Sequence, residues 1–148
     1  MKVLLVNGSP HKNGSTNRAL QEVEKTLQAS GVETEIFWIG NEPIGGCIGC
    51  GGCGKKGACV FGGVVAEFTE KAKESDGFVF GSPVHYAAAS GNMTSFLDRL
   101  FYSASEKMRG KPAAVVVSAR RGGTTAAYEQ LLKYPGICQM PIISSCYW

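Results

Sequence analysis

The sequence of 148 residues predicts a doubly wound α/β domain, in which helices cover both faces of a five-stranded parallel sheet. Short apolar runs of strand length alternate with segments of helical periodicity along the whole chain. Polar, glycine-rich loops follow the apolar runs, as they follow the carboxyl ends of strands in such sheets. Apolar residues make up 44% of the chain and charged residues 18%, which is ordinary for one globular domain with a hydrophobic core.

The first part of the chain predicts two strands and one helix. Residues 2–6 form a continuous apolar run, as expected of a central strand that is buried on both faces. In the helix that follows, apolar residues recur at helical spacing, and the hydroxyls of Ser15 and Thr16 offer an N-cap. Gly31 ends this helix, and residues 32–39 alternate as a second strand.

The second part predicts three further strands and three helices. Their boundaries are a helix at 64–75, a strand at 78–81, a helix after Asn92, a strand at 113–118, a helix at 124–133 and a final strand at 139–144. Parallel neighbours need helical crossovers, so this alternation specifies a sheet wound on both faces. One more helix is expected after the last strand. Its apparent absence before Trp148 predicts a chain shortened at its C-terminus, or a partner subunit over the exposed face.

A cysteine-rich insertion at about residues 40–63 interrupts this single domain of residues 1–148. Four cysteines, with the spacing C-x2-C-x2-C-x5-C, are Cys47, Cys50, Cys53 and Cys59. Three thiolates at i+3 steps can face one centre if the backbone curls tightly, which glycine permits. The fourth would close a four-sulfur cage of the kind that holds an iron–sulfur cluster. Zinc is an alternative, although structural zinc sites more often pair two separated C-x2-C knuckles, and free or disulfide-linked cysteines are another.

Three loops are predicted to meet at the carboxyl edge of the sheet, where ligands bind in such folds. The first, residues 8–17, suits a phosphate because the following helix supplies free amides and a favourable dipole. It contains neither a Walker A triplet nor G-x-G-x-x-G. The second, residues 82–92, combines a proline-fixed turn with small residues against which a flat ring can lie. The third, residues 118–125, offers glycine amides and two arginines.

Charge and the N-terminal residues exclude some partners. The net charge is +3 without a long basic run or a basic stripe with interleaved aromatic residues, so nucleic acid is not expected as a partner. The apolar run at the N-terminus is too short for a secretory signal or a membrane span, so we expect no membrane association and a cytoplasmic location. A disulfide framework is not expected in that reducing compartment, which favours a metal site.

The chain resembles the flavodoxin-like NADPH-dependent FMN reductases, and specifically their iron–sulfur flavoprotein branch. The resemblance extends over essentially the whole chain, and its segments are residues 3–10, the four-cysteine loop and residues 81–84, 96–99 and 121–125. It implies an FMN site. The phosphate would lie on Ser9, His11, Asn13, Ser15, Thr16 and Asn17, the isoalloxazine ring against Pro83, Val84, His85 and Tyr86, and the other side would be closed by Ser118, Arg120, Gly122 and Gly123.

The resemblance also implies an activity. A reduced donor, NAD(P)H or ferredoxin, would supply FMN with electrons, and a [4Fe-4S] cluster on the four cysteines would handle single electrons. No side chain is assigned as an acid or base. A ferredoxin or a small-molecule acceptor is the expected redox partner, and a homodimer or homotetramer the expected assembly. The alternatives are an electron carrier without its own substrate, and a quinone or nitro-compound reductase without a functional cluster.

Overall fold

A parallel β-sheet forms the centre of the computed structural model, which describes residues 1–145. The elements, in chain order, are β1 (Lys2–Asn7), α1 (Ser15–Ala29), β2 (Glu33–Trp38), α2 (Gly52–Lys56), α3 (Val64–Lys73), β3 (Gly77–His85), β4 (Ala88–Ala89), α4 (Gly91–Met108), β5 (Ala113–Ser118) and α5 (Thr124–Ile137). Among the residues described, no helix is both long enough and apolar enough to cross a bilayer.

The strand order reverses direction beside β1. The four parallel strands lie in the order β2-β1-β3-β5, and the two-residue strand β4 pairs antiparallel with the end of β3. A chain that moves first to one side of β1 and then to the other leaves a crevice at the carboxyl ends of β1 and β3. This topology confirms the predicted doubly wound fold.

Both faces of the sheet carry apolar side chains, because alternate residues of a strand point to opposite sides. On β1, Leu4 and Val6 belong to the larger core, which α3, α4 and α5 cover. Val3 and Leu5 belong to the smaller core beneath α1. At the centre of the larger core the ring of Phe68 packs against three other phenylalanine rings, with centroid distances of 5.2 to 6.1 Å.

The predicted strand at 139–144 is wrong for the residues that the structure describes. One isolated parallel bridge, between Ala113 and Ile142, replaces it. Gln139 has a positive φ of 56°, and Pro141 has no amide hydrogen for a ladder. The backbone nevertheless follows the edge of β5, since the Ala113 amide donates to the Pro141 carbonyl at 2.9 Å. Residues 146–148 lie outside the described part of the chain.

Two predicted boundaries also need correction. The strand predicted at 78–81 continues to His85, so part of the second loop is strand. The helix predicted to end at 133 continues to Ile137, with Pro135 inside its last turn. The cysteine loop contains the short helix α2, which begins and ends next to glycines with left-handed φ values.

Candidate functional site

A cavity of about 370 Å³ opens at the carboxyl edge of the sheet, between the ends of β1, β3 and β5. Nine of the residues predicted to bind FMN line it, namely Ser9, His11, Ser15, Thr16, Pro83, Val84, His85, Ser118 and Arg120. Gly14 and Ala119, which belong to the first and third predicted loops, also line it. The structure therefore brings the three predicted loops together around one space.

Five predicted residues do not line this cavity: Asn13, Asn17, Tyr86, Gly122 and Gly123. The Asn17 side chain faces inward along the loop, where its Oδ1 accepts a long hydrogen bond of 3.5 Å from Asn7 Nδ2. Gly123 packs against the turn after β3. These two residues support the loops that form the cavity.

Asn7, which the sequence analysis did not single out, organises the first loop. Its fully buried side chain accepts a hydrogen bond from the Ser9 amide at 3.0 Å and donates one to the Lys12 carbonyl at 3.0 Å. The Trp38 indole fixes the same loop from β2 by donating to the Ser9 carbonyl at 2.8 Å. The sequence does contain a sign of this role, since Asn7 is a polar residue at the end of a buried strand. A buried side-chain amide needs hydrogen-bond partners.

The N-terminus of α1 points into the cavity without a side-chain cap. The predicted N-cap at Ser15 and Thr16 is wrong, since Gly14 occupies the cap position and no side chain accepts from the first turn. The amides of Ser15, Thr16 and Asn17 therefore lack partners within their helix. Free amides together with the positive end of the helix dipole favour an anion at this position.

Side-chain hydroxyls connect the loops across the cavity floor. The buried Thr16 hydroxyl and the Ser118 hydroxyl lie 2.8 Å apart, which joins α1 to the end of β5. The Ser90 hydroxyl donates to the Gly8 carbonyl at 2.7 Å, and the Ser90 amide donates to the Ser82 hydroxyl at 3.0 Å. These bonds hold the first loop, residues 8–17, against β3 without the help of a ligand.

The turn between β3 and β4 has an unusual backbone. Tyr86 and Ala87 both have positive φ values, 52° and 60°, and Tyr86 is fully exposed. Two-residue hairpin turns of this type usually use Asn-Gly, because a Cβ atom disfavours positive φ. Such conformations cluster at functional sites. The turn rests on Gly123, where a Cβ atom would lie 2.8 Å from Ala87 Cα.

The charge around this cavity favours an anionic ligand. Among the described residues, no aspartate or glutamate lines it, whereas His11, His85 and Arg120 do. Within residues 1–145, neither Arg120 nor Lys12 forms an ion pair with a carboxylate. The Lys12 ammonium instead lies 5.7 Å from the centre of the Trp38 ring.

A second cavity, of about 120 Å³, is lined by all four clustered cysteines. Its opposite wall comes from α4, through Arg99, Tyr102 and Ser103. Contacts along α4 hold the loop in place, since Cys53 Sγ lies 3.6 Å from the Tyr102 carbonyl and Lys107 Nζ donates to the Gly57 carbonyl at 2.8 Å. The four cysteines of the predicted cage therefore line one shared cavity.

The thiols do not form a closed ligand set in the described structure. Among residues 1–145, no three His, Cys, Asp or Glu side chains are close enough together to hold a metal ion. Cys47, Cys50, Cys53 and Cys59 are all free thiols, and Cys59 is the buried one. Gly49, Gly51 and Gly57, which lie among the cysteines, have left-handed φ values near 65° to 69°.

Strand order, the crevice at the switch point and the uncapped helix beside it define a flavodoxin-like α/β protein. A solved flavodoxin from the Archaea has this fold, with a TM-score of 0.68 at 16% sequence identity over 98% of this chain and 80% of that one. The family model for NADPH-dependent FMN reductases matches residues 1–148. The chain belongs to this family, and it is therefore a flavoprotein oxidoreductase, as its motifs indicated.

Two curated relatives are named iron-sulfur flavoproteins. The one from Methanocaldococcus jannaschii is 30% identical over an alignment of 148 positions, which covers 97% of this chain and 76% of the relative. The one from Archaeoglobus fulgidus is 35% identical over 118 residues, which cover 79% of this chain and 54% of the relative. The matched region is thus about three quarters of the first relative and about half of the second.

Proposed function

We propose that this chain binds FMN at the edge of its sheet and a [4Fe-4S] cluster on its four clustered cysteines, and that it transfers electrons from NAD(P)H or a ferredoxin. When bound, FMN supplies two-electron and one-electron chemistry and the cluster supplies one-electron chemistry. The polypeptide binds, orients and shields these groups. The observation that carries the proposal is that one member of this family has a cavity at the switch point, beside the uncapped N-terminus of α1, and a separate cavity lined by four cysteines.

The first cavity fits FMN because its polar and apolar parts are separated. Uncapped amides of α1 and the Ser9 hydroxyl suit the phosphate, and no carboxylate among the lining residues repels it. Pro83, Val84 and the turn after β3 offer a surface for the flat ring. Backbone amides near His85 would orient the ring edge and exclude water from it.

A titration with FMN and riboflavin tests this site. The phosphate would accept several charge-assisted hydrogen bonds, each worth about 1.5–3 kcal/mol, so FMN should bind about 100-fold or more tightly than riboflavin. Quenching of flavin fluorescence on addition of the apoprotein gives both dissociation constants. Equal affinities would contradict a phosphate site at the N-terminus of α1.

The second cavity fits an iron–sulfur cluster by the chemistry of its donors. Four cysteines and no carboxylate line it, and thiolate sulfur is the ligand that such clusters use. The buried Arg99 guanidinium faces these thiols, and it supplies positive charge where thiolates and a cluster would bring negative charge. The relatives' names support the same assignment.

Replacement of one ligand tests the cluster without touching the FMN site. We expect Cys50→Ser to lose iron and acid-labile sulfide after anaerobic purification but to keep its flavin. Cys138→Ser is the matched control, because Cys138 lies outside the four-cysteine loop, in a groove between α4 and α5. Unchanged iron in Cys50→Ser would refute the ligand assignment, and zinc in place of iron would favour the quinone or nitro-compound reductase without a cluster.

The electron donor is a separate part of the proposal. Stopped-flow mixing of the oxidised holoprotein with NADH, NADPH or a reduced ferredoxin would identify it from the bleaching of flavin absorbance. Steady turnover with NAD(P)H and an acceptor supports an enzyme. Fast exchange with a ferredoxin but no turnover with either nicotinamide would favour the electron carrier without its own substrate.

We also propose a homodimer or homotetramer. A groove of about 610 Å³ between α4 and α5 exposes apolar side chains, with Tyr102 72% and Ile137 84% exposed. Exposed apolar surface of this kind is common at interfaces between subunits. Light scattering behind size-exclusion chromatography gives the mass directly, and a monomer at micromolar concentration would contradict the proposal.

A further inference from the structure

Arg99 is a charged residue on the buried side of α4. The residue is only 9% exposed, and Phe96, one turn before it on α4, is completely buried. Charged side chains are rarely buried to this extent unless they are paired.

The partners of Arg99 are unusual because none is a carboxylate. Its Nε donates to Cys59 Sγ at 3.3 Å, and its Nη2 donates to the Gly62 carbonyl at 2.8 Å. The guanidinium carbon lies 5.8 Å from the centre of the Phe61 ring. Asp98, its neighbour in sequence, instead accepts a hydrogen bond from Tyr134 at 2.6 Å. Within residues 1–145, no acidic group forms an ion pair with Arg99.

A buried cation needs a nearby negative charge, since desolvation is costly for an uncompensated ion. Among residues 1–145, the cavity that Arg99 lines has four cysteines and no carboxylate. Negative charge on that cavity, from thiolates and a bound cluster, would therefore provide the missing partner. The planar guanidinium also bonds to two groups at once, the Cys59 thiol and the Gly62 carbonyl. A lysine ammonium could not make both bonds in the same geometry.

We propose that Arg99 is a positioning residue for the cluster. Its guanidinium donates a hydrogen bond to the thiolate of Cys59 and thereby holds Cys59 against α4. This inference rests on the proposed cluster. Hydrogen bonds to cluster sulfur and nearby positive charge raise the reduction potential of an iron–sulfur cluster. Arg99 therefore determines how tightly iron is held and keeps the cluster potential higher than the cysteines alone would set it.

The test compares three variants with the wild-type holoprotein. Arg99→Gln removes the charge. Arg99→Lys keeps the charge but loses the guanidinium that bonds to both Cys59 and Gly62. Arg109→Gln is the matched control, because Arg109 is exposed at the end of the same helix and pairs with Glu106. Each protein is reconstituted anaerobically with iron and sulfide. Flavin content and circular dichroism verify that each variant is folded.

Two measurements decide the outcome: the cluster midpoint potential by spectroelectrochemistry, and the rate of iron loss to a chelator. We expect Arg99→Gln to have a more negative potential and to lose iron about tenfold or more faster, as is typical when a partner of a metal ligand is removed. Arg99→Lys should keep most of the potential but also lose iron faster. Arg109→Gln should match the wild type in both.

The results separate this inference from the proposed function. Wild-type potential and wild-type iron loss in both Arg99→Gln and Arg99→Lys would overturn the role of Arg99 and leave the cluster in place. A folded, flavin-containing wild type without iron and sulfide would overturn the proposed cluster, and the role of Arg99 with it.

Discussion

Replacing Gly123 by alanine perturbs the turn that supports the proposed flavin site. Gly123 has a φ of 94°, and a Cβ atom there would lie 2.8 Å from Ala87 Cα and 3.2 Å from Val84 Cγ1. The left-handed conformation costs a residue with a side chain about 1–2 kcal/mol, and an extra methyl group in a packed site typically costs about 1–3 kcal/mol. We expect the free energy of unfolding to fall by about 2–5 kcal/mol.

The same substitution should weaken FMN binding. Because the contact is with the backbone of Ala87, relief of the clash displaces the turn that carries Tyr86. A tenfold loss of affinity would correspond to about 1.4 kcal/mol. Urea denaturation of the apoprotein measures the first effect, and flavin fluorescence titration measures the second.

The neighbouring glycine provides the control. A Cβ atom at Gly122 meets no heavy atom within 4 Å, and its φ lies outside the left-handed range. Gly122→Ala should therefore change stability by about 1 kcal/mol or less. Equal stability and equal FMN affinity in Gly123→Ala and Gly122→Ala would refute the argument that Gly123 supports the turn.

Three further predictions concern the hydrogen bonds and the core. Thr16→Val removes the bond to Ser118 and should cost about 1 kcal/mol in urea denaturation, with weaker FMN binding; unchanged FMN affinity would exclude Thr16 from the site. Burial, and to a smaller extent the hydrogen bond to Asp98, raises the pKa of Tyr134. The neutral phenol therefore stabilises the folded state. This contribution is lost as the pH rises above about 10, the ordinary pKa of tyrosine. Tyr134→Phe should thus cost about 1 kcal/mol at neutral pH and close its gap to the wild type in alkaline denaturation, whereas a constant gap would contradict the assignment. Phe68→Ala should cost about 3–5 kcal/mol, because its buried ring packs against three others, and a loss below 1 kcal/mol would show that the core refills the space.

Long periodic segments were predictable from the sequence. The apolar residues that recur at helical spacing in α4 are buried, and so are Val65, Phe68 and Ala72 of α3. In these helices, local periodicity and tertiary burial favour the same face. The three loops at the sheet edge were predictable for a similar reason, since parallel strands bring their carboxyl ends to one side.

Residues whose partners are distant in sequence were harder to predict. Pro83 suggested a loop, yet it continues β3 opposite Ser118 because its missing amide hydrogen is tolerated there. Residues 139–144 are apolar enough for a strand, but Pro141 limits their pairing with β5 to one bridge. The role of Arg99 depends on Cys59, which is 40 residues away in the chain. No local pattern shows such a contact.

An anaerobic absorbance spectrum combined with metal analysis of the wild-type protein tests the central claim most directly. The account predicts flavin bands superimposed on the broad absorbance of a cluster, with about four iron and four sulfide per chain. Flavin bands alone, with zinc or with four freely titratable thiols in the loop, would contradict the claim that one chain holds both redox groups.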